Sequence, residues 1–167
     1  MAFDSFKFLP RVLAEPLKVW PYVDTSGEEI PWIDPEKPVA DSTVALVSSA
    51  GLYHKDDTPF DMDRERREPL WGDPSFRELP RGISQRDIRV NHFHYETSHA
   101  LADYNCVMPL AALEEMLVEG RIGGIPEHHL TFMGYQPKAG TFLRETAPRM
   151  AERLHEMGVD IVLLSSG

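Results

Sequence analysis

The chain has 167 residues, 42% hydrophobic and 26% charged, the balance of an ordinary globular domain. Asp and Glu outnumber Lys and Arg by 27 to 17, for a net charge of −10, and no basic stripe exists to neutralise a nucleic-acid backbone. No apolar run reaches the roughly 20 residues of a membrane span, the N-terminus has no apolar signal core, and a single cysteine, Cys106, cannot form an internal disulfide, so a reduced cytoplasmic setting is expected.

Residues 1–40 carry Pro10, Pro16, Pro21, Pro31, Pro35 and Pro38, a density that forbids a long helix or a central strand. Phe6, Phe8, Leu13, Leu17, Trp20, Tyr22 and Trp32 are too apolar for a disordered tail. The reading is an extended proline-rich arm that wraps a surface of this domain or of a partner. Residues 41–167 read as an α/β domain. Thr43 to Val47 is apolar on both faces, as a central parallel strand requires, and it ends in Ser48, Ser49, Ala50 and Gly51. Such small residues let a ligand approach the backbone. Tyr53 and His54 follow, where an open α/β sheet places its chemistry, just past a strand's carboxyl end.

Residues 55–85 are polar and turn-rich, a long loop of the kind that serves as a lid or partner contact. Within it Arg64 to Arg67, interrupted by Glu65, reads as solvated, and Asp56, Asp57, Asp61 and Asp63 lack the glycine and terminal glutamate of a calcium loop. Ile88 and Val90 then begin a short strand that runs into His92, Phe93, His94 and Tyr95. Two apart on a strand, His92 and His94 face one way, and Phe93 faces the other, into a core. Pro109 opens a helix with a buried stripe of Leu110, Leu113, Met116 and Leu117, closed by Gly120. His128 to Met133 is a third strand. A second helix covers about 140–157, its regular part N-capped by Thr146, and Val159 to Leu164 is a last strand leading into Ser165, Ser166 and Gly167.

This order implies a mostly parallel sheet with helical crossovers. The exits of the first, second and last strands then share one edge. There they gather Ser48, Ser49, Gly51, Tyr53 and His54 with His92, His94, Tyr95, Ser165 and Ser166. The residues alone leave three chemistries open. His92 and His94 can act as donor and base over a bound substrate. They can form a His-x-His metal module that recruits His54 or a carboxylate, although no third ligand is clearly nominated. Or the chain can be a non-catalytic binding or assembly subunit that uses its arm and middle loop.

A longer string of motifs is more specific. Ile30-Pro31-Trp32 and Lys37-Pro38 lead into Val44 to Gly51, then Pro59-Phe60-Asp61, Asp73 to Pro80, and His92-Phe93-His94-Tyr95. Asn105 to Leu110, Phe132 to Tyr135, Glu145 to Pro148 and Val159 to Ser166 complete it. In this order the chain resembles, from about residue 30 onward, the N-terminal part of the glycine/sarcosine/betaine reductase component B selenoprotein family. The D-proline reductase selenoprotein subunit belongs to the same group. The resemblance implies reductive cleavage of a bond at the α-carbon of glycine, betaine, proline or a related amine by selenol or thiol attack. It also implies a pyruvoyl-containing partner subunit that activates the amine.

In that family a reactive selenocysteine or cysteine, with a second cysteine nearby, follows the strand matching Val159 to Leu164. The nucleophile is therefore expected just beyond Gly167, which leaves the domain incomplete at its C-terminus and this chain with no cofactor of its own. A selenocysteine codon read as a stop, or a naturally short subunit completed by another chain, are the two explanations. Cys106 does not match the nucleophile's position and reads as a small buried residue. Within that chemistry His92 and His94 are the expected catalytic residues, donating to a leaving amine or stabilising a selenolate. Ser49, Gly51, Tyr53, His54, Tyr95, Ser165 and Ser166 are the expected substrate-binding set, with no metal.

Overall fold

The computed structural model describes residues 10–19, 27, 29 and 33–167. The chain divides into two compact units, Met1–Asp34 and Pro35–Gly167. In the first, the described residues form one short helix, α1 (Arg11–Lys18), which contains Pro16. The rest of the extended-arm reading falls mainly on residues outside those described.

The second unit runs β1 (Val44–Ser48), β2 (Leu52–His54), α2 (Met62–Arg67), β3 (Phe76–Pro80), β4 (Ile88–Val90), α3 (Ser98–Ala102), α4 (Leu110–Val118), β5 (His128–Phe132), α5 (Ala147–Glu156) and β6 (Ile161–Ser165). Four strands make one sheet in the order β3-β5-β1-β6. The central β1 is parallel to both β5 and β6, and β3 joins the outside of β5 antiparallel. The class is α/β, as the strand and helix order implies.

The alternation of β1 explains why its whole run is apolar. Val44 and Leu46 belong to one core with Leu52, Ile88, Leu110 and Leu113. Ala45 and Val47 belong to the opposite core with Leu130 and, from α5, Met150 and Leu154. Each large side chain removed from water in this way stabilises the fold by about 1.5–3 kcal/mol. Polar residues interrupt the pattern, His129 the largest of them on the central strands. His129 on β5 is fully buried, and its Nδ1 accepts a hydrogen bond from the Leu46 N–H at 3.0 Å, where a strand carbonyl would ordinarily do so.

Four local expectations need correction. The strand before the histidines lies outside the main sheet: β4 pairs antiparallel with β2 in a two-stranded ribbon, from Leu52↔Val90 to His54↔Ile88. The middle stretch is not a plain loop, for it contains α2 and the edge strand β3. Asp61 starts α2 by accepting from the Arg64 N–H at 2.9 Å. Pro80 is tolerated because it closes an outer strand, where a missing N–H costs no central ladder bond. Thr146 holds the N-cap position before α5 but makes no side-chain cap. It lies in a π-helical turn, Phe142–Thr146, that leads into α5, and its hydroxyl donates to the Pro74 carbonyl at 2.6 Å. Finally, the Cys106 side chain is exposed, not buried.

Candidate active site

β1 ends against the exit of β6. The Ser49 N–H donates to the Ser165 carbonyl at 2.9 Å. The hydroxyls of Ser48 and Ser165 both donate to one acceptor, the Val107 carbonyl, at 2.8 and 2.7 Å. That shared carbonyl ties the two strand ends together and occupies both hydroxyls. Among the described hydrogen bonds the Ser49 hydroxyl makes none, so it remains open to a ligand.

The next turn brings in the histidine segment. Gly51 has φ of +67° and accepts from the Asn91 N–H at 3.0 Å. A Cβ on Gly51 would run into the Asn91 carbonyl and sit 3.7 Å from the His92 ring. The segment bends directly after Asn91, so the histidines are not on a strand. The backbone N–H of His94 donates to His92 Nδ1 at 3.0 Å, and the two rings meet edge to face at 5.7 Å between centroids. Phe93 is exposed and lies under the Arg66 guanidinium at 4.8 Å, outside any core.

His92 accepts at Nδ1, which fixes its proton on Nε2. Burial, helped by the charge of His94, pushes its pKa down to about 4. At neutral pH it is a neutral ring with one N–H to donate. Its neighbour Tyr95, at 4.8 Å between centroids, spends its hydroxyl on the Ala50 carbonyl at 2.9 Å. Burial, and then the Cys106 thiol, push the Tyr95 phenol up to about 12. Tyr95 therefore presents a ring and not a proton. The backbone of Gly167 comes down on the same spot: a Cβ there would lie 2.8 Å from Ala50 and 3.0 Å from the Tyr95 ring.

His94 is held differently. Its Nε2 is 2.8 Å from Glu65 Oε1, and its ring stacks on Tyr135 at 3.6 Å and 22°. The Tyr135 hydroxyl is anchored on the Pro69 carbonyl at 2.6 Å, and burial raises its pKa.

The structure thus gathers Ser49, Gly51, His92, His94, Tyr95 and Ser165 around the exits of β1 and β6. It leaves Tyr53 and His54 apart from them. His54 lies three residues along β2 from Gly51, about 10 Å by strand rise, and its Nδ1 accepts from the Asp56 N–H at 3.3 Å in a tight turn. Tyr53 turns to Phe60, ring edge to face at 6.2 Å. Ser166 is exposed. A cavity of about 550 Å³, lined by residues that include Asp57, Arg77 and Arg149, contains none of these side chains. Among the described residues no three His, Cys, Asp or Glu side chains come together as a metal site.

Glu65, Asn91 and Tyr135 were not singled out by sequence reasoning. Glu65 is only 4% exposed, although it lies in the charged run Asp63 to Glu68. One local signal existed: Met62 and Glu65 are three apart on one helical face behind the capping residue Asp61, and both are buried.

The sheet and its helices define an α/β protein, with small residues, two linked histidines and a tyrosine gathered as a candidate site at the exits of β1 and β6. Residues 22–167 match the family model described as glycine/sarcosine/betaine reductase selenoprotein B, and the chain belongs to that family. It is 36% identical over 136 residues to the D-proline reductase subunit gamma of Acetoanaerobium sticklandii, which covers 81% of this chain and 53% of that protein. It is 29% identical over 136 residues to the betaine reductase complex component B subunit beta of Peptoclostridium acidaminophilum, covering 79% of this chain and 29% of that one. Against the glycine reductase complex component B subunit gamma of Symbiobacterium thermophilum it is 26% identical over 160 residues, 93% of this chain and 36% of the other. The chain therefore spans about half the length, or less, of these relatives. No solved structure gives a significant match.

Proposed function

We propose that this chain is part of a selenol- or thiol-dependent reductase that cleaves a bond at the α-carbon of an amino acid or related amine, with His92 and His94 at the reacting centre. The observation that carries this reading is the junction at Gly167. The exit of β6 packs on Ala50 and Tyr95, and the His92 ring lies beside Tyr95. A selenol or thiol at this exit would supply the nucleophile. The residues present suit such a group. The neutral His92 offers Nε2–H, which stabilises a developing anion without fully protonating it. His94 is the proton donor to the leaving amine, and the Ser49 hydroxyl orients the substrate.

The relatives are named as subunits of D-proline, betaine and glycine reductases. By this reading the chain takes a small amine or amino acid, acts with a pyruvoyl-type partner subunit, and works in a reduced cytoplasmic setting. D-proline is the first substrate to try, because that relative shares 36% identity. In the assembled enzyme, His92→Ala combined with His94→Ala abolishes turnover while circular dichroism and thermal midpoint stay near those of the unmodified protein. Full turnover in the double variant removes both histidines from the mechanism.

A second reading, a non-catalytic assembly subunit, is favoured by the outer strand β6, where Val162, Leu163 and Leu164 are all exposed. It expects partner binding to survive the same double substitution with no change in turnover.

A further inference from the structure

We propose that Glu65 is a positioning residue for His94: its carboxylate receives the Nε2–H and so leaves Nδ1 as the ring's acceptor. The role of His94 at the reacting centre is the reading given above, and the inference rests on it. The placement of Glu65 is what calls for an explanation. Its helix, α2, is six residues long, and Asp63, Arg64, Arg66 and Arg67 around it are exposed. Of the charged residues of α2 Glu65 alone turns inward, to 4% exposure, and Oε2 has no hydrogen-bond partner among the described residues. Burying a carboxylate with one oxygen unpaired is costly, and an apolar residue of similar size would stabilise the same position better. The return is at the other oxygen, 2.8 Å from His94 Nε2.

His94 is also constrained on two further sides. Its face is stacked on Tyr135, itself tied to Pro69, and its backbone N–H is committed to His92 Nδ1. The ring retains 40% side-chain exposure. Among the described residues Nδ1 has no hydrogen-bond partner, so it is the nitrogen left for a ligand. A buried carboxylate behind a half-exposed imidazole fixes the ring's orientation and tautomer, so that a proton Nδ1 takes up is held there for transfer to the leaving amine.

The test begins with the unmodified chain, by nitrogen-15 spectra of its histidine rings at neutral pH. The expected result is a single Nε2–H tautomer at His94, replaced in Glu65→Leu by a mixture of tautomers. An Nδ1–H ring in the unmodified chain overturns the proposal, and so does a tautomer indifferent to Glu65→Leu. If Glu65→Leu does not fold, Glu65→Gln retains the shape, and the result in the unmodified chain still decides. In the assembled enzyme Glu65→Gln lowers kcat about tenfold or more with KM little changed, whereas a merely structural role lowers stability and leaves kcat per folded molecule intact. Turnover that survives His94→Ala defeats the functional reading instead. The tautomer spectra need no turnover, so the two failures are distinguishable.

Discussion

Gly51 shows how closely the site depends on single residues. Its φ of +67° lies in the left-handed region, and the space where a Cβ would stand is filled by the Asn91 carbonyl. Gly51→Ala therefore adds strain of about 1–3 kcal/mol and pushes the histidine segment away from β1. Urea unfolding of the variant should show that loss, and an unchanged midpoint would mean that the Asn91 carbonyl yields freely. This residue was legible in the sequence, because a run of small residues after an apolar strand is a local signal. His92, Tyr95 and Ser165 were legible for the same reason, as polar groups placed at strand exits. Glu65 was not. The spacing from Met62 is only a local hint within a run of alternating charges, because what turns this carboxylate inward is His94, 29 residues away.

At the scale of elements, the long apolar or amphipathic segments were readable and the short ones were not. β1 and β5 each bury a continuous set of side chains, α4 buries Leu110 and Leu113 from one face, and β6 carries an unbroken apolar run, so hydrophobic pattern alone located them. β2 and β4 are three residues each, too short for a periodic pattern, and they pair across a long separation in sequence, next to the Asn91 N–H bond to the Gly51 carbonyl. β3 is half-buried, preceded by Pro74 and closed by Pro80, two prolines that mimic a loop. The reading of His92 and His94 as strand neighbours failed because the chain bends as soon as Asn91 has paired with Gly51. Pattern also revealed too little about β6. It is an outer strand whose far edge has no strand partner among the described residues, and Leu164 is 82% exposed. An apolar outer strand invites association. Sedimentation velocity should show the 167-residue chain associating as its concentration rises, with Leu164→Lys weakening the effect. Identical sedimentation of variant and unmodified chain across that range would rule out this strip as the contact.

For the molecule as a whole, two histidines, one buried and one partly exposed, tie stability to pH. Burial pushes both His92 and His129 from 6.5 down to about 4. At His129 the Glu114 carboxylate opposes that shift, while Arg81 and His128 reinforce it. Between these two pH values the unfolded chain binds protons that the folded chain refuses, so stability is fully present above 6.5 and falls as the pH drops towards 4. For the fully buried His129 the difference amounts to about 3 kcal/mol. His92 is partly exposed and adds a smaller, solvent-screened share. The carboxylates whose pKa values are lowered, Asp87, Glu96, Asp103, Glu114 and Asp160, act in a lower window, because each starts from 3.8 or 4.5 and moves down. The histidine loss therefore comes first on acidification. His129→Gln retains an acceptor for the Leu46 N–H without a group that charges in this range. Urea unfolding across it should give a clearly flatter dependence on pH for that variant. A slope as steep as in the unmodified protein would mean that the acid sensitivity of the fold comes from elsewhere than β5.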